Sequence, residues 1–183
     1  MKYIGNTGTL INWQSIVDSL SDQTPGYVGP RHSGDDDIIG ISDVSKKWSD
    51  AGFVLIKDGG NAGWDMFFPH TNFNQSIVDL FSDYVNVNPI SCWISRVNPG
   101  CLTPWHWDAN DNEKEYSAMP NMIRISCNIS KPQVGHVIMV EDECLYFQEQ
   151  GSVWQWPDRT SWHGGINCGM TPKYLFNFFG VKR

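Results

Sequence analysis

From residue 90 onward the chain is cut into short apolar runs with turn residues between them, and this constrains the fold more than anything else in the sequence. Eight strand-like runs follow one another: 91–97, 103–108, 121–129, 136–140, 144–148, 152–156, 161–167 and 173–181. The breaks are Asn98-Pro99-Gly100, Lys131-Pro132, Glu141-Asp142, Gln150-Gly151, Pro157-Asp158 and the stretch 169–172. Short strands at regular spacing with turn signals between them belong to sandwiches and barrels. Upstream the texture is helical. Trp13, Ile16, Val17 and Leu20 sit at helical spacing over 13–20, a second helix is expected over 42–51, and Phe73, Ile77, Val78, Leu80, Phe81 and Tyr84 mark a third over 72–84. Phe53-Val54-Leu55-Ile56 reads as a buried strand ended by Gly59-Gly60, and 24–37 as a loop. The expectation is a mainly β single domain over 1–183. Residues 1–89 form a helical N-terminal support region, residues 90–183 an eight-stranded double-sheet jelly roll, and the helices pack on one sheet.

Composition narrows the function classes. With 183 residues, 40% of them apolar, and nine Trp and nine Phe, the chain is long and greasy enough for one real core. Its net charge of −7 argues against gripping a nucleic-acid backbone, which needs clustered Lys and Arg. The five cysteines are odd in number and contain no Cys-x-x-Cys pair, as expected of scattered buried thiols in a reducing compartment. No apolar leader and no long uncharged apolar run is present, so the expectation is a cytoplasmic protein with no membrane partner. Asp35-Asp36-Asp37 lacks a regular ligand spacing and reads as a solvated loop.

The chemistry-bearing residues lie on the strand-like half. His106 and Asp108 are two apart, and side chains at i and i+2 leave the same face of a strand. His163, in Ser161-Trp162-His163-Gly164-Gly165, would complete a set of two imidazoles and one carboxylate. With open positions, that set is the facial arrangement of non-heme Fe(II) oxygenases. Taken singly, each residue has a plainer reading. A His in a Trp-rich strand is usually a satisfied structural histidine, and Asp108 also begins the polar loop 109–120. Lys173 enters an aromatic strand, where a cation is costly unless paired. Arg124 is a fixed cation on the otherwise apolar run 121–129, suited either to a carboxylate ligand or to a structural ion pair. Trp105, Trp107, Trp154, Trp156 and Trp162 crowd the same runs and read mostly as core, with some of them lining the mouth of the site.

Taken together these residues resemble the 2-oxoglutarate- and Fe(II)-dependent dioxygenase superfamily over about residues 91–183. The resemblance rests on Arg96-x-x-Pro99-Gly100 ahead of His106-x-Asp108, on Arg124 in a strand ending in Pro132, and on His163 with Lys173 ten positions later. The run from Arg124 to Pro132 and the Gly151, Pro157-Asp158, His163 pattern are similar to the aspartyl/asparaginyl β-hydroxylase branch. His-x-Asp with a Lys ten after the second His is similar to prolyl 4-hydroxylases. The resemblance implies that His106, Asp108 and His163 hold Fe(II), that Lys173 binds the distal carboxylate of 2-oxoglutarate, and that Arg124 helps hold this cosubstrate. It implies hydroxylation of a peptide or protein side chain (Asp/Asn or Pro type) or a small molecule by O2, with release of succinate and CO2. Two other readings stay open: a non-catalytic jelly-roll binding or structural module, and a cupin-type metal enzyme that does not use 2-oxoglutarate. Neither the substrate nor the oligomeric state has a code in the sequence.

Overall fold

The computed structural model describes residues 1–29, 41–107, 121–158 and 160–183, with the side chains of 27–29 and 41–45 not described. Asp108, the 109–120 loop and Asp35-Asp36-Asp37 lie outside the described residues. Eleven strands are named among those described: β1 (Lys2–Asn6), β2 (Tyr27–Gly29), β3 (Trp64–Phe67), β4 (Val87–Val97), β5 (Leu102–His106), β6 (Met122–Asn128), β7 (His136–Val140), β8 (Glu143–Tyr146), β9 (Ser152–Gln155), β10 (His163–Asn167) and β11 (Lys173–Lys182). The α-helices are α1 (Trp13–Leu20), α2 (Ile41–Asp50) and α3 (Gln75–Val85).

The strands form two antiparallel sheets, ordered β1-β9-β6-β11-β4-β3-β2 and β5-β10-β7-β8. Counting only β4 to β11, the first strand pairs with the eighth, which pairs with the third and then the sixth. In the other sheet the second pairs with the seventh, then the fourth and fifth. That order is a double-sheet jelly roll. All eight strands expected after residue 90 are present, with ends shifted by a few residues. β4 starts earlier than expected because it continues through Pro89, which lies opposite Gly180 where the pairing with β11 shifts register. A proline is tolerated at such an irregularity because no ladder hydrogen bond is asked of it there.

The N-terminal part corrects the sequence reading in two places. It is not purely helical: β1 extends the large sheet beyond β9, and β3 with β2 extends it beyond β4. Phe53-Val54-Leu55-Ile56 is not a strand. Phe53 and Val54 are exposed. The chain then enters a 3-10 turn over Ile56–Asp58 that Gly59 closes in the left-handed region at φ 79°.

The main apolar core lies between the helices and the large sheet. On the central strand β11, Tyr174, Phe176 and Phe178 face the helices, where they meet Trp13 and Leu20 of α1 and Val78 and Phe81 of α3. Asn12 and Asn74 cap these two helices by accepting the N–H of Ser15 and Ser76. The third helix, α2, places Trp48 in a smaller cluster with Leu55 and Ala62, against Trp64 of β3 and Leu102 of β5. Burying one such aromatic side chain contributes about 1.5–3 kcal/mol. Period-2 alternation then forces the partners of these residues, Lys173, Leu175 and Asn177, toward the space between the two sheets.

All five cysteines are free. Only Cys127 is buried, whereas Cys144 and Cys168 are exposed, so the expectation of buried thiols holds for one of the five. Burial pushes the Cys127 and Cys92 thiols up to about 12, which removes both as thiolate donors at neutral pH. Among the described residues no helix is long and apolar enough to cross a membrane.

Candidate metal and cosubstrate site

The small sheet brings His106 and His163 face to face. β5 and β10 are antiparallel neighbours, and His106 is the register partner of His163. Their ring centroids are 4.2 Å apart with planes at 51°. Both are buried, on the face turned toward the large sheet. Each Nδ1 lies against a backbone carbonyl two residues back: Pro104 O at 2.7 Å for His106 and Ser161 O at 2.9 Å for His163. A carbonyl only accepts, so each Nδ1 carries a proton, which leaves Nε2 as the nitrogen able to offer a lone pair. That is the tautomer a metal-ligating imidazole needs, with the second nitrogen fixed by a backbone partner.

A cavity of about 80 Å3 opens between the sheets beside these rings. One water takes about 10–15 Å3 on this measure, so the space suits a molecule of several non-hydrogen atoms. Its walls include Trp64, Trp93, Thr103, Trp156, Lys173 and Asn177. Trp64 lies nearly parallel to His106 with centroids 5.9 Å apart, and Trp48 meets the same ring edge-on at 5.0 Å. Trp156 meets His163 edge-on at 4.7 Å and donates its Nε1–H to Ser126 Oγ at 3.0 Å. Both imidazoles are therefore held in apolar surroundings with few ways to rotate.

Lys173 reaches into this cavity from the first residue of β11. It is only 4% exposed. Its Nζ donates to the carbonyl of Val137, and among the described residues no carboxylate pairs with it. Nζ lies against Gly165, where a Cβ would stand 3.4 Å from it, in ordinary contact. Burial pushes the lysine pKa down to about 7, because a charged ammonium loses water and gains only a neutral acceptor. Arg124 also lines the cavity, at its His163 side. Its guanidinium lies 3.6 Å from the Trp156 ring centroid and 4.8 Å from that of Phe179. Its Nη2 is 3.4 Å from His163 Nε2. Arg124 and Lys173 stand at opposite ends of the sheet surface, for Arg124 is the register partner of Phe179, six residues along β11 from Lys173.

Four of the five residues singled out in the sequence, His106, His163, Lys173 and Arg124, thus line one cavity. The fifth, Asp108, is outside the described residues. Two facing imidazole donors with Nε2 available suit a divalent metal. The buried ammonium suits the carboxylate of a small anion. Among the described residues no cluster of three or more His, Cys, Asp or Glu forms a complete site. Sequence reasoning missed Trp48, Trp64 and Trp93, which come from the N-terminal half and β4. Of the five tryptophans expected to be mostly core with some at the mouth, Trp156 lines the cavity, while Trp105 and Trp162 do neither. They are 43% and 44% exposed and stack on each other on the outer surface of the small sheet, 6.5 Å apart. The alternation that sends His106 and His163 inward sends their preceding neighbours outward.

No family model matches the chain, and no curated protein matches it. Solved structures match it at low identity. A viral collagen prolyl hydroxylase from Paramecium Bursaria Chlorella virus-1, in complex with 2OG, matches with a TM-score of 0.47 and 13% identity, over 77% of this chain and 89% of that one. An oxidoreductase of the 2OG-Fe(II) oxygenase family from Burkholderia pseudomallei matches with a TM-score of 0.40 and 15% identity, over 60% and 58%. A predicted oxalate decarboxylase from Thermotoga maritima matches with a TM-score of 0.39 and 11% identity, over 66% and 82%. Likeness of this degree says nothing about activity, and the fold itself rests on the strand order and the two facing sheets.

Proposed function

We propose that this chain is an Fe(II)- and 2-oxoglutarate-dependent oxygenase that hydroxylates a peptide or protein side chain or a small molecule. The observation that supports this reading is the pairing, in one cavity, of two facing imidazoles with a buried ammonium that no described carboxylate neutralises. His106, Asp108 and His163 would hold Fe(II), and Lys173 would receive the distal carboxylate of 2-oxoglutarate. The bound metal and cosubstrate would supply oxidative decarboxylation with O2 to succinate and CO2, coupled to hydroxylation of the substrate.

The chain's own residues supply the rest. Pro104 and Ser161 each accept from an Nδ1, so the nitrogen that each ring can offer to a metal is Nε2. Lys173 carries the charge that orients a dicarboxylate with one end deep in the cavity. Trp64, Trp93 and Trp156 replace water around the reacting centre with rigid apolar surface. Arg124 is held flat against Trp156 and Phe179, which fixes a positive charge on the His163 side, where it favours an anionic group on cosubstrate or substrate.

The test is direct. The purified chain given Fe(II), 2-oxoglutarate and O2 is expected to form succinate, and His106→Ala is expected to abolish it. Undiminished turnover in that variant overturns the metal assignment. Mn(II) with N-oxalylglycine at a hundred times its Kd is expected to stabilise the fold by about 2.7 kcal/mol, a rise of roughly 5–10 °C in unfolding temperature. A non-catalytic module shows no such rise. Lys173→Ala separates the remaining reading, since a metal enzyme that does not use 2-oxoglutarate keeps its turnover in that variant.

A further inference from the structure

Glu141 stands where the backbone favours glycine or asparagine. β7 ends at Val140 and β8 begins at Glu143, so only Glu141 and Asp142 link them. Glu141 carries φ 52°. Two-residue hairpin links with positive φ select Gly, Asn or Asp, because any Cβ crowds the following carbonyl at a cost of about 1–2 kcal/mol, which Gly avoids and Asn or Asp offsets with a local hydrogen bond. A glutamate tolerated there is expected to supply something a shorter side chain cannot. Its Oε1 accepts the backbone N–H of Trp162 at 2.7 Å, and its own N–H donates to the carbonyl of Trp162 at 2.8 Å. Both polar backbone groups of Trp162 therefore end on one residue.

Trp162 immediately precedes His163, and the carbonyl before it, that of Ser161, fixes the tautomer of the same imidazole. On the β7 side His163 pairs with Val140, and Ser161 donates its N–H to the carbonyl of Asp158, so Trp162 is the link between two held residues. The Trp162 side chain is 44% exposed. The pairing of β10 with β5 shifts register directly after His163, so the ladder on that side does not fix the strand's height. Local strain at a non-glycine residue beside a functional group is where a positioning role is to be sought.

We infer that Glu141 is a positioning residue for His163: its carboxylate pins the Trp162 N–H and so sets where the His163 imidazole presents Nε2 opposite His106. Glu141 touches neither metal nor substrate, and the inference rests on the metal reading given above. Partners that orient a ligating histidine from outside the ligand set typically carry 10–100-fold in metal affinity. Glu141→Gln keeps an acceptor oxygen at the same reach. Glu141→Asn suits the backbone better but is one carbon too short to reach the N–H.

The experiment is a Co(II) titration of the full chain, followed by d–d absorption and calorimetry, alongside the unfolding temperature of each metal-free protein. Wild type and Glu141→Gln are expected to bind with the same Kd within about threefold. Glu141→Asn is expected to bind at least tenfold more weakly, with a metal-free unfolding temperature equal to or above that of wild type. Equal affinity in Glu141→Asn overturns the inference. So does weak binding by Glu141→Gln, which would make the charge and not the hydrogen bond responsible. A loss of affinity that tracks a lower metal-free unfolding temperature in Glu141→Asn also overturns it, as a plain folding defect. Wild type that binds no Co(II) at all overturns the metal reading and this inference with it.

Discussion

Lys173 is a cation in a place that water has left, and its proton is the lever by which pH should act on the site. Burial holds its pKa at about 7, against about 10.4 in an unfolded chain. Between those values the unfolded chain keeps the proton and the folded one releases it. The unfolded state therefore binds more protons, and the ligand-free protein gains stability as pH rises from about 7 to about 10. Below 7 both states are protonated and this contribution is flat. Ligand binding runs the other way. A carboxylate placed against Nζ favours the ammonium, so above pH 7 binding must take up a proton. Affinity for N-oxalylglycine at fixed Mn(II) activity is expected to fall between pH 7.5 and 9, approaching tenfold per unit. Lys173→Arg should bind with a flat profile, because a guanidinium stays charged throughout. A wild-type affinity that does not change with pH over this range would show that Nζ does not meet the carboxylate.

At the scale of elements, the site depends on Gly164, which lets β5 and β10 approach more closely than a side chain there would. A Cβ at Gly164 would lie 3.0 Å from the carbonyl oxygen of Thr103 on β5 and 3.5 Å from the Trp105 ring. Gly164→Ala is therefore expected to push β5 from β10 at the point where His106 faces His163. Overpacking of this kind costs about 1–3 kcal/mol, and Co(II) affinity should fall by more than that loss of stability accounts for. Unchanged Co(II) affinity would show that β5 absorbs the methyl group without moving His106. This also marks what the sequence makes legible. His-x-Asp and the late His can be read because a strand's period of two decides which residues share a face, and Asn98-Pro99-Gly100 and Pro157-Asp158 punctuate the strands that carry them. β1 cannot be read that way, because it buries little and its pairing slips between Tyr3 and Gly5. β3 has only four residues and is set in place by its neighbour β4, where the half-buried pair Asp65 and Arg96, 2.7 Å apart, fastens the two strands. Phe53-Val54-Leu55-Ile56 misleads for a related reason: an apolar run without alternation does not distinguish a strand from a turn whose carbonyls are met locally. Glu141 leaves no trace in the sequence, since only the fold brings a hairpin link to the residue before His163.

Across the whole molecule, two layers of opposite character share one sheet. The helix-facing side of β4, β6 and β11 carries Ile94, Ile125, Cys127, Phe176 and Phe178, all fully buried. The side facing the small sheet carries Ser95, Arg124, Ser126, Lys173 and Asn177 among Trp93, Val97 and Leu175, and it borders a cavity beside the smaller apolar cluster of Ile138, Val140 and Trp156. Stability and function are thus assigned to opposite faces of the same strands. The helix side should behave as an ordinary core, with Phe176→Ala costing about 3–5 kcal/mol. The cavity side should not. Asn177 Nδ2 donates to Ser95 Oγ at 3.0 Å across β11 and β4. Both side chains also donate to the Leu175 carbonyl, and replacing both with apolar groups removes this half-buried polar set without orphaning either side chain, which is neutral or stabilising in general. The double variant Ser95→Ala with Asn177→Leu is therefore expected to unfold at the same temperature as wild type or higher, while its added volume fills the cavity and abolishes the stabilisation by Mn(II) with N-oxalylglycine. Thermal unfolding with and without the two ligands reads both halves of this expectation in one series. If the double variant instead loses several kcal/mol without ligand, the polar layer is holding the sheets together and the division of labour between the two faces is refuted. If it keeps the full ligand-induced rise, the cavity between the sheets is not where the dicarboxylate binds.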